Sequence, residues 1–84
     1  MESKLILNDG TELEQSEALE SNGKLFVYIR NGIGLRDAFD LLIDSEKTRK
    51  ITQKRYGITT VINGYEKLTA IRDEGKGLIT AVIS

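Results

Sequence analysis

The sequence contains no histidine, cysteine, proline or tryptophan. Histidine is the most frequent general base, and histidine and cysteine are the usual ligands of structural zinc, so a Ser-His-Asp triad and a structural zinc site are both excluded. The lack of cysteine also excludes disulfide bonds. No proline interrupts the pairing of long strands. We therefore expect a protein that is not an enzyme and that uses no cofactor.

Long hydrophobic runs are also missing. No apolar stretch approaches the roughly 18 residues that a membrane-spanning helix needs, so no membrane is expected among the partners. The first ten residues, MESKLILNDG, lack the basic flank and apolar core of a secretory signal, which predicts residence in the cytoplasm. With 84 residues, of which 39% are hydrophobic and 30% charged, the chain is expected to form one globular domain over residues 1–84.

One segment, GLRDAFDLLID at residues 34–44, places its apolar side chains at helical spacing. Leu35, Ala38, Phe39 and Leu42 follow an i, i+3, i+4, i+7 pattern, which predicts one principal helix over about residues 34–44. A helix of this length is marginal alone in water, so its apolar face must pack on another element. Gly34 is suited to the N-cap position.

The rest of the chain alternates between apolar and polar residues and predicts a mostly antiparallel sheet of six to seven strands. Segments 24–30 and 78–83 are apolar on both faces, which predicts central strands, whereas the charged segment 11–15 predicts an edge strand. Segment 15–21 lacks an apolar stripe and is expected to be a loop with at most a single turn, and segment 45–50 is expected to be a polar turn. The expected strands are 4–8, 11–15, 24–30, 51–55, 58–63, 65–72 and 78–83.

The sequence therefore predicts an α+β domain in which the helix packs on the sheet. The predicted core combines one face of the helix with the inward residues of the strands. Its members are Leu25, Val27, Ile29, Leu35, Phe39, Leu42, Val61, Leu68, Ile79 and Val82.

Carboxylates and glycines offer little chemistry. Asp37, Asp40 and Asp44 lie at i, i+3 and i+7 and could share a divalent cation, but a solvated helix face is the favoured interpretation because no further oxygen ligands are near. The pairs Gly32-x-Gly34 and Gly75-x-Gly77 lack the third glycine of a dinucleotide site and are read as turns. We expect no metal site.

A basic run is the main candidate for a binding surface. It contains Lys47, Arg49, Lys50, Lys54 and Arg55 within nine residues and is followed by Tyr56. Such a density of cations can follow a phosphate backbone. Few aromatic residues are available for base stacking, so a protein contact or a solvated face is favoured over nucleic acid.

Charge is divided unevenly along the chain. Residues 1–46 carry ten acidic and four basic side chains, and residues 47–84 carry eight basic and three acidic ones. If the two halves lie on different faces, copies of the chain can associate through opposite charges. Charges that neutralise one another within the fold are the favoured alternative.

The segments LFVYIRNGIGLRDAFDLLIDSEKTRKIT and VINGYEKLTAIRDEGKGLITAVIS resemble small proteins encoded by phages and prophages of Gram-positive and related bacteria. The shared pattern is a hydrophobic strand, a short helix with a central Phe, an Ile-Asp-Pro-Glu-Lys-Thr-like turn, a Tyr-x-Gly-Tyr-Thr-like motif and a closing hairpin. This chain departs from the pattern at Ser45, where Pro is expected, and at Glu66, where Thr is expected. The resemblance implies a virion-related or prophage-encoded protein of head or tail assembly, with no catalytic residue to carry over.

Two functions follow as expectations. The first is a non-enzymatic phage structural or interaction protein that works by edge-strand or face contacts, with phage structural proteins or a second copy as partners, in the host cytoplasm or in the virion. The alternative is a small nucleic-acid-binding or regulatory protein that uses residues 47–55.

Overall fold

A computed structural model describes residues 3–84, which contain eight strands and two short helices. The strands are β1 (Ser3–Ile6), β2 (Glu12–Glu14), β3 (Ser16–Ser21), β4 (Lys24–Ile29), β5 (Lys50–Arg55), β6 (Ile58–Asn63), β7 (Leu68–Gly75) and β8 (Leu78–Ile83). The helices are α1 (Leu35–Leu42) and α2 (Ser45–Thr48).

The strands form two antiparallel sheets of four strands each. Sheet A has the order β2-β1-β5-β6, and sheet B has the order β3-β4-β8-β7. The α+β class and the antiparallel pairing are as predicted, and the central positions of β4 and β8 and the edge position of β2 are confirmed. The expected count of six to seven strands and one helix is wrong, because the described residues contain eight strands and two helices.

Strand β3 was expected to be a loop. It pairs with β4 over six residues, and the two strands are joined by Asn22-Gly23, whose φ angles of 52° and 74° are both positive. Positive φ at both positions is what a tight type I′ hairpin requires. Pairing with β4 therefore overrides the helical preference of the Glu, Ala and Leu residues in β3.

The segment after α1 was also predicted differently. Helix α1 ends at Leu42, and Asp44 is the N-cap of α2, where its side chain accepts a hydrogen bond from the Glu46 N–H at 3.0 Å. Ser45 is the first residue of α2, a position that also suits proline because φ is already helical there. The Asp44 cap closes this turn without a proline.

The core lies between the two sheets. Strands β4 and β8 alternate strictly, with every second side chain buried, so that Leu25, Val27 and Ile29 face the interior. The buried apolar residues of both sheets and of α1 form one cluster, which contains Leu5, Leu7, Leu13, Ala18, Leu25, Val27, Ile29, Ala38, Leu42, Ile51, Ile62, Ile79, Ala81 and Ile83.

Four of the predicted core residues lie elsewhere. Phe39 and Leu35 remain 37% and 41% exposed, because α1 docks through Ala38 and Leu42 instead. Val61 is half-exposed on the outer face of sheet A, and Val82 lies partly buried on the outer face of sheet B. Leu68 is partly buried against the core, and the other five predicted core residues are buried.

The docking face of α1 predicts unequal costs of truncation. Leu42 is fully buried, so Leu42→Ala should lower the free energy of unfolding by about 2 to 5 kcal/mol in urea denaturation. Phe39→Ala should cost less than the about 3 to 5 kcal/mol typical of a buried Phe, because its ring is already partly in water. An equal or larger loss for Phe39→Ala would mean that α1 docks through its other face.

Candidate functional site

The basic run does not form one surface. Along β5 successive side chains point to opposite faces, so Lys50 and Lys54 lie on the outer face of sheet A while Ile51 is buried on the inner face. Lys50 and Lys54 make no ion pair with any residue that the structure describes. They are the only two residues of the run that share this face.

Two other cations of the run, Arg49 and Arg55, lie close to carboxylates. The Arg49 guanidinium is 3.2 Å from Glu46, and that of Arg55 is 4.0 Å from Glu17. Arg55 also lies over the ring of Tyr56, with 5.4 Å between the guanidinium carbon and the ring centroid. Lys47 is half-buried in α2, where its backbone C=O accepts a hydrogen bond from the Asn8 N–H. The structure therefore does not bring the six predicted site residues onto one surface: it places Lys50 with Lys54, and Arg55 with Tyr56.

The helix carboxylates are also used within the fold. Asp40 pairs with Arg36 at 3.1 Å, and Asp44 caps α2. Among residues 3–84 no group of three acidic side chains is placed to hold a metal ion. The polar face of α1 is therefore best described as solvated surface.

Of the four sheet edges formed by residues 3–84, three carry a feature that hinders pairing with another chain. Strand β2 is three residues long and has glutamate at both ends, and the hydrogen bond from Lys4, 2.7 Å from Nζ to Oε1, lowers the pKa of Glu12. Strand β7 has two shifts of register against β8 and three consecutive charged residues, 72–74. Short, charged or bulged edges are common devices against edge-to-edge association.

Strand β3 is covered in a different way. The Gln53 side chain on β5 accepts a hydrogen bond from the Ala18 N–H at 2.7 Å and donates one to the Ala18 C=O at 3.3 Å. One carboxamide thus binds the outward N–H and C=O of Ala18 in the middle of this edge strand and links the two sheets. The amide occupies the place that another strand would take.

Strand β6 is the edge without such a feature. Its sequence, ITTVIN, has no charge, no proline and no glycine, and it pairs with β5 over six residues without a bulge. Ile58 is 67% exposed and Val61 is 50% exposed. In the described part of the chain no strand pairs with the far side of β6. We call this side of β6 the open edge.

The backbone groups on the open edge can be identified from the pairing with β5. The Gly64 N–H donates to the Arg49 C=O, and hydrogen-bonded pairs alternate with non-bonded pairs along an antiparallel ladder. Ile58, Thr60 and Ile62 of β6 are therefore bonded to β5. The N–H and C=O groups of the remaining residues, Thr59, Val61 and Asn63, point to the open edge.

Sequence reasoning found the strand but not its exposure. The Tyr56-Gly57 turn, with φ angles of 51° and 77°, fixes β5 as one neighbour of β6. Strand β1, from the start of the described residues, pairs with the other side of β5 and not with β6. Strand β6 therefore lies at the edge of sheet A, and the local turn signals do not predict this. The absence of charge in segment 58–63 pointed away from an edge position, because edge strands usually carry charge.

No protein-family model, curated protein or solved structure matches this chain. No helix within residues 3–84 has the length and apolar character needed to cross a membrane. The function is therefore inferred from the residues of the chain itself.

The Gln53 contact predicts a specific loss of stability. Gln53→Leu keeps most of the side-chain volume but leaves the Ala18 N–H and C=O without partners, so the free energy of unfolding should fall by about 1 to 3 kcal/mol in urea denaturation. Thr52→Val, on the outer face of the same strand, is the matched control and should be nearly neutral. A neutral Gln53→Leu would show that the amide does not hold the two sheets together.

Proposed function

We propose that this protein is a non-enzymatic interaction protein, of the kind that phages and prophages encode for head or tail assembly, and that it contacts other chains through the open edge of β6. The observation that carries the proposal is an uncharged six-residue strand with one side that no described strand pairs, while the other three sheet edges within residues 3–84 are hindered. The sequence resemblance supports the phage setting.

Strand addition is a well-established mode of recognition. An extended segment that pairs with a free edge gains main-chain hydrogen bonds, and alternate side chains supply specificity. On β6 the main-chain partners are Thr59, Val61 and Asn63, and each net hydrogen bond stabilises a complex by about 0.5 to 1.5 kcal/mol. The exposed side chains of Val61 and Ile58 add apolar contact on the two faces of the strand.

Charge supports a protein partner over a nucleic acid. The edge strand itself carries no cation, and the two unpaired lysines nearby, Lys50 and Lys54, lie one strand away on β5. The side chains of Asn63 and Thr59, which lie opposite Lys50 and Lys54, stand between these lysines and the open edge on the outer face. A neutral peptide backbone is therefore a better match for this edge than a phosphate chain.

Site-specific photo-crosslinking in the native host tests the proposal. A photoreactive residue in place of Val61 should give a discrete adduct, because its side chain lies beside the strand that is added. The same residue in place of Leu19, which is 49% exposed against 50% for Val61, is the control and should give little adduct. Absence of an adduct at position 61, or equal adducts at both positions, would contradict strand addition at β6.

The alternative function, a nucleic-acid-binding or regulatory protein that uses residues 47–55, predicts a different result. The logarithm of the affinity for duplex DNA, plotted against the logarithm of the salt concentration, would have a slope of about −2 for two lysines on one face. Five phosphate contacts would give a slope of about −4. We expect no duplex or single-strand binding tighter than about 100 μM at physiological salt, as measured by fluorescence anisotropy. Submicromolar binding that is abolished by Lys50→Glu with Lys54→Glu, with the fold retained, would favour the alternative.

A further inference from the structure

We infer that the strand added to β6 is β6 of a second copy of this chain, paired antiparallel about a two-fold axis that passes beside Val61. The inference rests on the proposed function, strand addition at the open edge, and names the partner. The result is a closed dimer with one continuous sheet, in which sheet A of one copy continues into sheet A of the other.

The spacing of the outward backbone groups selects the register. Thr59, Val61 and Asn63 point to the open edge and are symmetric about Val61. A two-fold axis at Val61 places Val61 opposite Val61 of the partner subunit and Thr59 opposite Asn63 of the partner subunit. All three residues of each copy then find main-chain partners. An axis at Thr60 would instead place Thr59 opposite Val61 of the partner subunit. The backbone N–H and C=O of Asn63 would then have no strand partner.

The side chains agree with this register. Val61 continues a row on the outer face of sheet A that runs from Ile6 through Thr52. An axis perpendicular to the sheet keeps both outer faces on the same side, so the row continues directly into the second copy. The two half-exposed valines then cover each other, which removes apolar surface from water.

Charge permits self-pairing at this edge. Strand β6 has no charged side chain, so two copies place no like charges directly opposite each other. The nearest cations that repel each other are Lys54 of one copy and Lys50 of the partner subunit. They are separated by three strand spacings, about 14 Å. This distance exceeds the screening length of about 8 Å at physiological salt, so their repulsion is weak.

The hindered edges limit the assembly to a dimer. Pairing through β6 uses the open edge of both copies, and the edges that remain are β2, β3 and β7. Charges, the Gln53 amide and the register shifts hinder further pairing there. Since an isologous contact closes on itself, the chain forms a two-fold pair instead of a fibre. One six-residue edge is a small interface, so we expect a dissociation constant in the micromolar range.

The absence of cysteine makes disulfide trapping a direct test. Val61→Cys introduces a single thiol, and a hydrogen-bonded antiparallel pair places the two Cα atoms about 5.5 Å apart, within the range that a disulfide spans. Under mild oxidation Val61→Cys should form covalent dimer at least about tenfold faster than Leu19→Cys, because pairing raises the effective thiol concentration. Thr60→Cys, which faces Ile62 of the partner subunit, should also be slower than Val61→Cys.

A second variant separates pairing from folding. The Thr59 N–H points away from β5, so Thr59→Pro leaves the internal ladder intact and blocks the open edge. Added to Val61→Cys it should remove the rate advantage while the urea unfolding transition remains. In sedimentation, the unmodified chain should dimerise with increasing concentration and the Val61→Lys variant should not, whereas Leu19→Lys should behave like the unmodified chain.

Equal trapping rates for Val61→Cys and Leu19→Cys, or a faster rate for Thr60→Cys, would overturn the inferred pairing. If the photo-crosslink at position 61 leads to a different protein and Val61→Cys does not dimerise, self-pairing is wrong while strand addition at β6 stands. If position 61 gives no adduct with any chain, the proposed function fails as well.

Discussion

Every edge strand of a β-sheet leaves alternate backbone N–H and C=O groups without a strand partner, and this constraint shapes the whole molecule. The eight strands of the described residues form two sheets and so have four edges. Short length and glutamates hinder β2, the Gln53 amide binds the backbone of β3, and register shifts with consecutive charges interrupt β7. Among the strands of residues 3–84, only β6 combines high β-propensity, exposure and the absence of charge, so a contact with another chain is most favourable there.

The same division into two sheets explains the role of the helix. Two sheets that face each other bury their own apolar residues, so the core is supplied mainly by strands, and α1 adds Ala38 and Leu42 with Leu41 partly buried against them. A single sheet would have needed a long apolar helix face to cover it. Since the second sheet takes that role, Leu35 and Phe39 remain partly in water.

The sequence predicted which segments form strands or helices better than it predicted how those segments pack and pair with one another. Strands β4 and β8 were recognisable because both of their faces are apolar, and α1 was recognisable from its spacing. The buried face of α1 was not recognisable, because the helix carries two apolar strips. One strip contains Ala38 and Leu42, and the other contains Leu35 and Phe39. Strand β3 was missed since its composition favours helix, although the Asn22-Gly23 turn after it is a hairpin signal. In the basic run, the alternation of β5 separates residues that are close in sequence.

Amide hydrogen exchange of β6, followed by NMR at several protein concentrations, tests the open edge most directly. In dilute solution the amides of Thr60 and Ile62, which are bonded to β5, should exchange slowly, and those of Thr59 and Val61 should exchange fast. As concentration rises, Thr59 and Val61 should become protected. Fast exchange of Thr59 and Val61 at every concentration would contradict pairing between copies, and slow exchange in dilute solution would contradict the open edge itself.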